Sequence, residues 1–248
     1  MIYTPPLIPA KLLRRYKRFL ADVELTPTAQ GGSEPQALTA HCANPGSMRG
    51  LIEEGGEAWL FDSQNPKRKL PYSLELLKLS SGALVCVNTA RANTLMAEAL
   101  SDQRLEPFKG LEAQAEVKWA GEHASRFDFA LREPGADEWS GYLEVKSATL
   151  SLEGGVGAFP DAVTTRGLKH LEALLEVKRS GLRAVLCFVV MRDDVQRFRV
   201  ASEIDPAYAE GLQRAIAGGV EVYVYACSLC PQAGLELTGE QLDVLGGQ

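Results

Sequence analysis

An α+β fold in two parts, a small β-barrel followed by an α/β domain, is predicted for this 248-residue chain. Three observations predict it. Short runs of strand-forming residues, separated by turn residues, fill residues 12–87. That spacing suggests a small barrel. Helical leucine spacing with matching caps appears only beyond that point. Between them lie two neighbouring strands, Arg126 to Leu131 and Tyr142 to Ser147, whose few charges stand among apolar residues. The predicted domains are therefore residues 1–87 and 88–248.

Taken in order, Arg15 to Leu25 reads as a strand, and Thr26 to Gln36 as a polar loop rich in Gly, Pro, Ser and Thr. Strands follow at Ala37 to Ala43, Ala58 to Asp62, Tyr72 to Lys78 and Leu84 to Val87. A helix is expected at Thr94 to Leu100, after the polar Asn88, Thr89 and Asn93. Beyond it come a strand at Ala113 to Trp119, the two charged strands, and a Gly-rich loop from Leu152 to Asp161. Leu168, Leu171, Leu174 and Leu175 recur at helical spacing, Thr164 or Thr165 can cap that helix, and Gly181 stands where a terminating glycine belongs. Ala184 to Val190 reads as a buried strand. Asp205-Pro206 opens a further helix in the order cap then proline, Gly218-Gly219 closes it, and Val220 to Ala226 reads as the last strand.

The charged strands carry the chemistry. Side chains alternate across a strand, so Glu144 and Lys146 share a face about 7 Å apart, while Leu143 and Val145 face the other way. Pro134, Gly135, Asp137 and Gly141 let the second strand return antiparallel to the first, which brings Asp128 close to Glu144. Two carboxylates so placed repel each other, and a hard divalent cation with a preference for oxygen ligands, Mg²⁺ or Mn²⁺, relieves that repulsion. A lysine two residues on can orient the attacking water or offset phosphate charge. Asp128, Glu144 and Lys146 are thus the candidate catalytic residues, with Asp128 and Glu144 as metal ligands. The alternative is a solvated Glu-x-Lys pair on an exposed strand, against which stand the apolar neighbours that mark a core sheet.

The net charge of −6 argues against a nucleic-acid partner until its distribution is considered. Residues 1–85 hold ten Lys plus Arg against eight Asp plus Glu, whereas residues 86–248 hold 16 against 24. Lys11, Arg14, Arg15, Lys17 and Arg18 precede the first acid, Asp22, and surround Tyr16 and Phe19, a mixture suited to phosphates and stacked bases. Lys67-Arg68-Lys69 adds a second cluster. The competing reading is a solvated edge strand whose cations deter aggregation. Arg166, Lys169 and His170 fall at i, i+3 and i+4 of a helix start and share a face that can hold a phosphate, or simply meet solvent.

Other signals point elsewhere. Glu98 and Glu116 are further candidate ligands, each read more simply as a surface acid. Gly154, Gly155 and Gly157 lack the lysine and spacing of a P-loop. Cys227 and Cys230 with His41 and Cys42 reach four potential zinc ligands, but consecutive strand residues point to opposite faces, so zinc is not expected. Five cysteines suggest a reducing compartment rather than a disulfide framework. No apolar run approaches the roughly 20 residues that span a bilayer and no signal-peptide pattern opens the chain, so a cytoplasmic protein with no membrane partner is expected. Oligomeric state has no signature here.

Three ordered motifs carry a resemblance: Arg14-Arg15-Tyr16-Lys17-Arg18-Phe19-Leu20-Ala21-Asp22-Val23, His41-Cys42-Ala43-Asn44-Pro45-Gly46-Ser47-Met48 and Phe159-Pro160-Asp161-Ala162-Val163-Thr164, the last continuing into Arg166-Gly167-Leu168-Lys169-His170-Leu171. From about residue 5 to residue 228 the chain resembles the sugar fermentation stimulation protein family, SfsA. The resemblance implies an N-terminal OB-fold, a C-terminal domain like the PD-(D/E)XK restriction endonucleases, and DNA binding. The nuclease motif would then fall on Asp128, Glu144 and Lys146, with Phe127 at the motif's proline and Pro45 where threonine is expected in relatives. Two functions follow from it: a metal-dependent phosphodiester hydrolase acting on DNA, or a non-catalytic DNA-binding regulator of sugar metabolism genes that uses the nuclease fold as a platform.

Overall fold

The computed structural model describes residues 1–26 and 36–245. The polar loop expected at Thr26 to Gln36 therefore lies largely outside the described residues. The N-terminal strands are β1 (Ile8–Tyr16), β2 (Leu20–Leu25), β3 (Gln36–His41), β4 (Glu57–Asp62), β5 (Tyr72–Lys78) and β6 (Leu84–Cys86). They hydrogen-bond in the order β3-β2-β1-β4-β5-β6, and a parallel pairing of His41 with Ser73 joins β3 to β5. That pairing closes β1 to β5 into an OB-like five-stranded barrel, which removes the free sheet edge. Its interior is filled by alternate residues such as Leu12, Val23, Leu60 and Leu74, each almost wholly shielded.

The strand predicted over Arg15 to Leu25 is instead the end of β1, a tight turn and β2, and β1 begins earlier, at Ile8. Lys17 and Arg18 have positive φ values of 46° and 65°, and Phe19 N–H donates to the Lys17 carbonyl at 2.7 Å. Two successive left-handed residues make the tight turn that hairpins favour, normally with Asn or Gly. Lysine and arginine give no such signal, which is why the sequence reads as one continuous strand.

The second half contains α1 (Ala90–Ser101), then β7 (Glu112–Trp119), β8 (Ser125–Arg132), β9 (Gly141–Ala148), β10 (Leu150–Leu152) and β11 (Val156–Phe159). After these come α2 (Thr165–Arg179), β12 (Arg183–Val190), β13 (Arg197–Val200), α3 (Pro206–Ala217), β14 (Glu221–Cys230), β15 (Gly234–Gln241) and β16 (Asp243–Val244). The main sheet runs β15-β14-β12-β9-β8-β7, parallel across β14, β12 and β9 and antiparallel at both flanks. One face packs on α1 and the other on α2 and α3. The Gly-rich stretch expected to be a loop holds the end of β10 and all of β11, turned by Gly154 and Gly155 at φ of 74° and 68°. Val220 to Ala226 lies almost wholly in β14, but β15 and β16 follow it.

Helix ends obey local chemistry. Thr164 accepts from Gly167 N–H and Asp205 from Tyr208 N–H, each satisfying an orphan donor of the first turn. Leu171 and Leu174 on α2 are buried against the sheet and contribute about 2 kcal/mol each. Among the described residues no helix is long and apolar enough to cross a membrane.

The two halves share a core. Leu76 and Cys86 of the N-terminal sheet and Tyr3 pack with α1 and the inner face of the main sheet. Glu75 of β5, wholly buried, crosses the seam: both of its oxygens accept from Arg91 at 2.8 and 3.0 Å, one from Tyr3 at 2.9 Å and the other from Asn88 at 2.7 Å.

Candidate active site

β8 and β9 pair antiparallel only from Phe129↔Leu143 to Leu131↔Gly141. One step beyond that ladder the register sets Asp128 opposite Glu144, and there the strands part. Val145 N–H, with no strand partner on that side, donates to Asp128 Oδ2 at 2.7 Å, and Asn93 of α1 donates to Asp128 Oδ1 at 2.6 Å. The carboxylate thus fills the opening with its orientation fixed from two sides.

Glu144 is only 2% exposed. Its Oε1 accepts from Lys146 Nζ at 2.5 Å and contacts His170 Nδ1, whereas its buried Oε2 has no partner. His170 Nε2 accepts from Arg166 Nε at 3.2 Å, so the network assigns the ring hydrogen to Nδ1, aimed at Glu144. His170 comes from the second turn of α2 because Leu171 and Leu174 press that helix onto the sheet.

The two acids differ electrostatically. Burial, reinforced by the Glu144 charge, pushes the Asp128 carboxyl up to about 6 despite its hydrogen bonds. Burial also raises Glu144, but the charge of Lys146 and the hydrogen bonds from His170 and Lys146 outweigh it and hold Glu144 below the usual carboxylate range. Neighbouring carboxylates driven apart in this way mark sites that bind cations or move protons.

Asp128, Glu144 and Lys146 therefore converge, and His170 joins them. It was expected on a phosphate-facing surface with Arg166 and Lys169, but it is buried; Arg166 and Lys169 remain exposed. Arg14, Lys17 and Arg18 are exposed around the β1–β2 hairpin, with Arg14 paired to Asp22 at 2.8 Å and stacked 4.8 Å from the Tyr16 ring. Arg15 turns inward and donates to the carbonyls of Arg18, Asn44, Gly46 and Ser47. Glu98 pairs with the N-terminal amine and Glu116 with Arg126. Asn93 was not identified from sequence: a lone Asn near a helix start reads as a cap, and only packing turns it toward Asp128.

The 44–48 and 159–164 motifs meet. Ser47 Oγ donates to the Asp161 carbonyl at 2.7 Å, Met48 N–H donates to Asp161 Oδ2 at 3.0 Å, and the Gly46 Cα faces that carboxylate too closely for a side chain. Gly46 N–H donates to Asn44 Oδ1 at 2.8 Å across Pro45, in a turn that needs no donor from the proline.

Comparison with known proteins agrees with this architecture. Residues 13–87 match the SfsA N-terminal OB domain, and residues 90–233 match the sugar fermentation stimulation protein RE domain. A sugar fermentation stimulation protein homolog of Magnetococcus marinus is 50% identical over 92% of this chain and 93% of its own. Another, from Pseudomonas putida (strain GB-1), is 47% identical over the same shares. A structure of Pyrococcus furiosus SfsA in complex with Ca²⁺ superposes with a TM-score of 0.83 at 24% identity, covering 96% of each chain. With two family domains spanning most of its length and relatives at this level of identity, the chain belongs to the sugar fermentation stimulation protein (SfsA) family.

Proposed function

We propose that the chain is a metal-dependent phosphodiester hydrolase acting on DNA, with Mg²⁺ or Mn²⁺ held by Asp128 and Glu144. The observation that carries this reading is the like-charge pair: a raised Asp128 beside a buried Glu144 whose Oε2 has no partner. A divalent cation fits both features, since it neutralises the repulsion and satisfies the orphan oxygen. The Ca²⁺ held by the archaeal relative is of the same hard, oxygen-seeking class. Acids on two adjoining strands, with a lysine two residues after the second, also support reading the C-terminal domain as PD-(D/E)XK-like.

When bound, the cation would act as a Lewis acid toward the phosphate and lower the pKa of the attacking water. Asn93 and Val145 N–H keep Asp128 pointed at the site. Arg166, through His170, fixes the Glu144 rotamer and leaves Oε2 free. Lys146 Nζ holds a positive charge beside the scissile phosphate and donates to the attacking water. Arg14, Lys17 and Arg18 around the hairpin, with Arg166 and Lys169 on α2, grip the DNA backbone. Arg15 supports them by tying the hairpin to the 44–47 loop.

The test is cleavage of labelled single-stranded and duplex DNA with Mg²⁺, Mn²⁺ or EDTA, for the wild type, Asp128→Ala and Lys146→Ala. Metal-dependent cutting lost in both variants, with DNA still bound, is the expected result. The second reading is the non-catalytic DNA-binding regulator, for which the acidic balance of residues 86–248, 24 Asp plus Glu against 16 Lys plus Arg, speaks as a weak, salt-sensitive binder. Binding without cutting by all three proteins in either metal would establish that reading instead.

A further inference from the structure

A cavity of about 210 Å³ lies where the 44–46 loop, the end of β9 and the 158–164 segment come together. We infer that it is a pocket for a single nucleobase, the base of a nucleotide next to the phosphate held at Lys146. This rests on the DNA-directed reading above, and its chemistry is separate from that of the acid pair.

The lining defines the ligand. No Lys, Arg or His contributes to it, so a phosphate or other anion finds no counter-charge there. Asp161, its one acid, is engaged by Ser47 and Met48. Apolar faces come from Phe159, Pro45, Pro160 and Val163, and the Phe159 ring is braced at 5.3 Å by both Phe188 and Tyr208. Neutral polar groups come from Thr89 and Ser147, and the buried Ser147 hydroxyl has no hydrogen-bond partner. A flat, uncharged heterocycle with donors and acceptors on its edge matches such a site. The volume falls below that usual for drug-sized ligands, which restricts the occupant to one ring system.

Position and rigidity agree with that occupant. Ser147 follows Lys146 on β9 with its side chain on the opposite face, and the cavity passes the strand end to Thr164, the cap of the helix that carries His170 to the acid pair, so it borders the Lys146 site on that side. The walls are tied together by the Ser47 and Met48 bonds to Asp161, so the pocket is preformed. Val163 at its rim is 74% exposed, an apolar side chain placed to contact an unstacked base.

The experiment uses the full chain in EDTA, a short single strand carrying one 2-aminopurine, and free 2-aminopurine deoxyriboside. Wild type is expected to raise the emission of the oligonucleotide as the base leaves its stack, and to raise the anisotropy of the free nucleoside saturably. Ala162→Phe, which fills the cavity, should lose both signals while retaining its thermal unfolding transition; Ser147→Ala should weaken both several-fold. If the oligonucleotide binds but its emission is unchanged, or Ala162→Phe gives the same rise, the pocket assignment fails and the DNA-binding reading stands. If no DNA binds, that reading fails, and the nucleoside arm alone decides the pocket: saturable binding lost in Ala162→Phe supports it, and no binding overturns it.

Discussion

Two glutamates, one at the seam between the halves and one in the main sheet, are almost equally buried and have opposite surroundings. Glu75 at the seam is 0% exposed, and both of its oxygens are bonded by Arg91 and completed by Tyr3 and Asn88. Glu144 is 2% exposed, and its bonds crowd onto one oxygen while the other is bare and a second carboxylate stands nearby. The first is an ion pair whose desolvation is offset locally and which ties α1 to the barrel. The second is incomplete by itself, as expected of a group that works on a cation or substrate. Burial alone does not separate a structural acid from a candidate site acid; the fate of each oxygen does.

Exchanging each glutamate for its amide breaks the comparison most sharply. Glu144→Gln should lower metal-dependent cleavage by at least about 10³-fold, equivalent to roughly 4 kcal/mol of barrier, while denaturant unfolding shifts little. Unchanged cleavage would remove Glu144 from the site. Glu75→Gln should do the reverse, costing about 3 kcal/mol of stability in urea because the half-buried Arg91 is left without its counter-charge. An unaltered midpoint would mean that the seam does not depend on the pair.

Asp128→Asn sharpens the contrast through pH. A carboxyl whose folded value rises to about 6 binds its proton more tightly in the native state, so its penalty grows as pH climbs from about 4 to 6 and is full above that. In EDTA the variant should therefore gain up to about 3 kcal/mol over wild type at pH 7 and show no gain below pH 4. A gain independent of pH would show that Asp128 is not the group under repulsion. Thr164→Ala is expected to have the smallest effect on stability, about 1 kcal/mol from the lost α2 cap. Cleavage falling well beyond that loss would show that the cap also positions His170.

Much of the fold was legible because it rests on local rules. Tyr72 to Lys78 is strand as read, the Asp205-Pro206 and Thr164 caps open the helices expected of them, and Gly181 and Gly219 follow helix ends at φ of 91° each. The β1–β2 turn was missed because Lys17 and Arg18 adopt left-handed backbone without a residue type that announces it. The short strands β10, β11, β13 and β16 were missed for another reason. They are stabilised by pairing with one another in a separate four-stranded sheet, a non-local gain that no window of sequence contains.

The same division applies to the site. Sequence by itself determined that Asp128, Glu144 and Lys146 lie on neighbouring antiparallel strands, because a period of two and a turn-rich linker leave little choice. Tertiary structure decided what those residues meet. Packing of Leu171 and Leu174 swings His170 inward onto Glu144, the opening between β8 and β9 gives Val145 N–H to Asp128, and α1 brings Asn93 from 35 residues away. It also turned Arg15 from a surface cation into a brace for the 44–47 loop. Periodicity assigns a side chain to a face; only the assembled core, where hydrogen-bond partners come from distant segments, determines what that face touches.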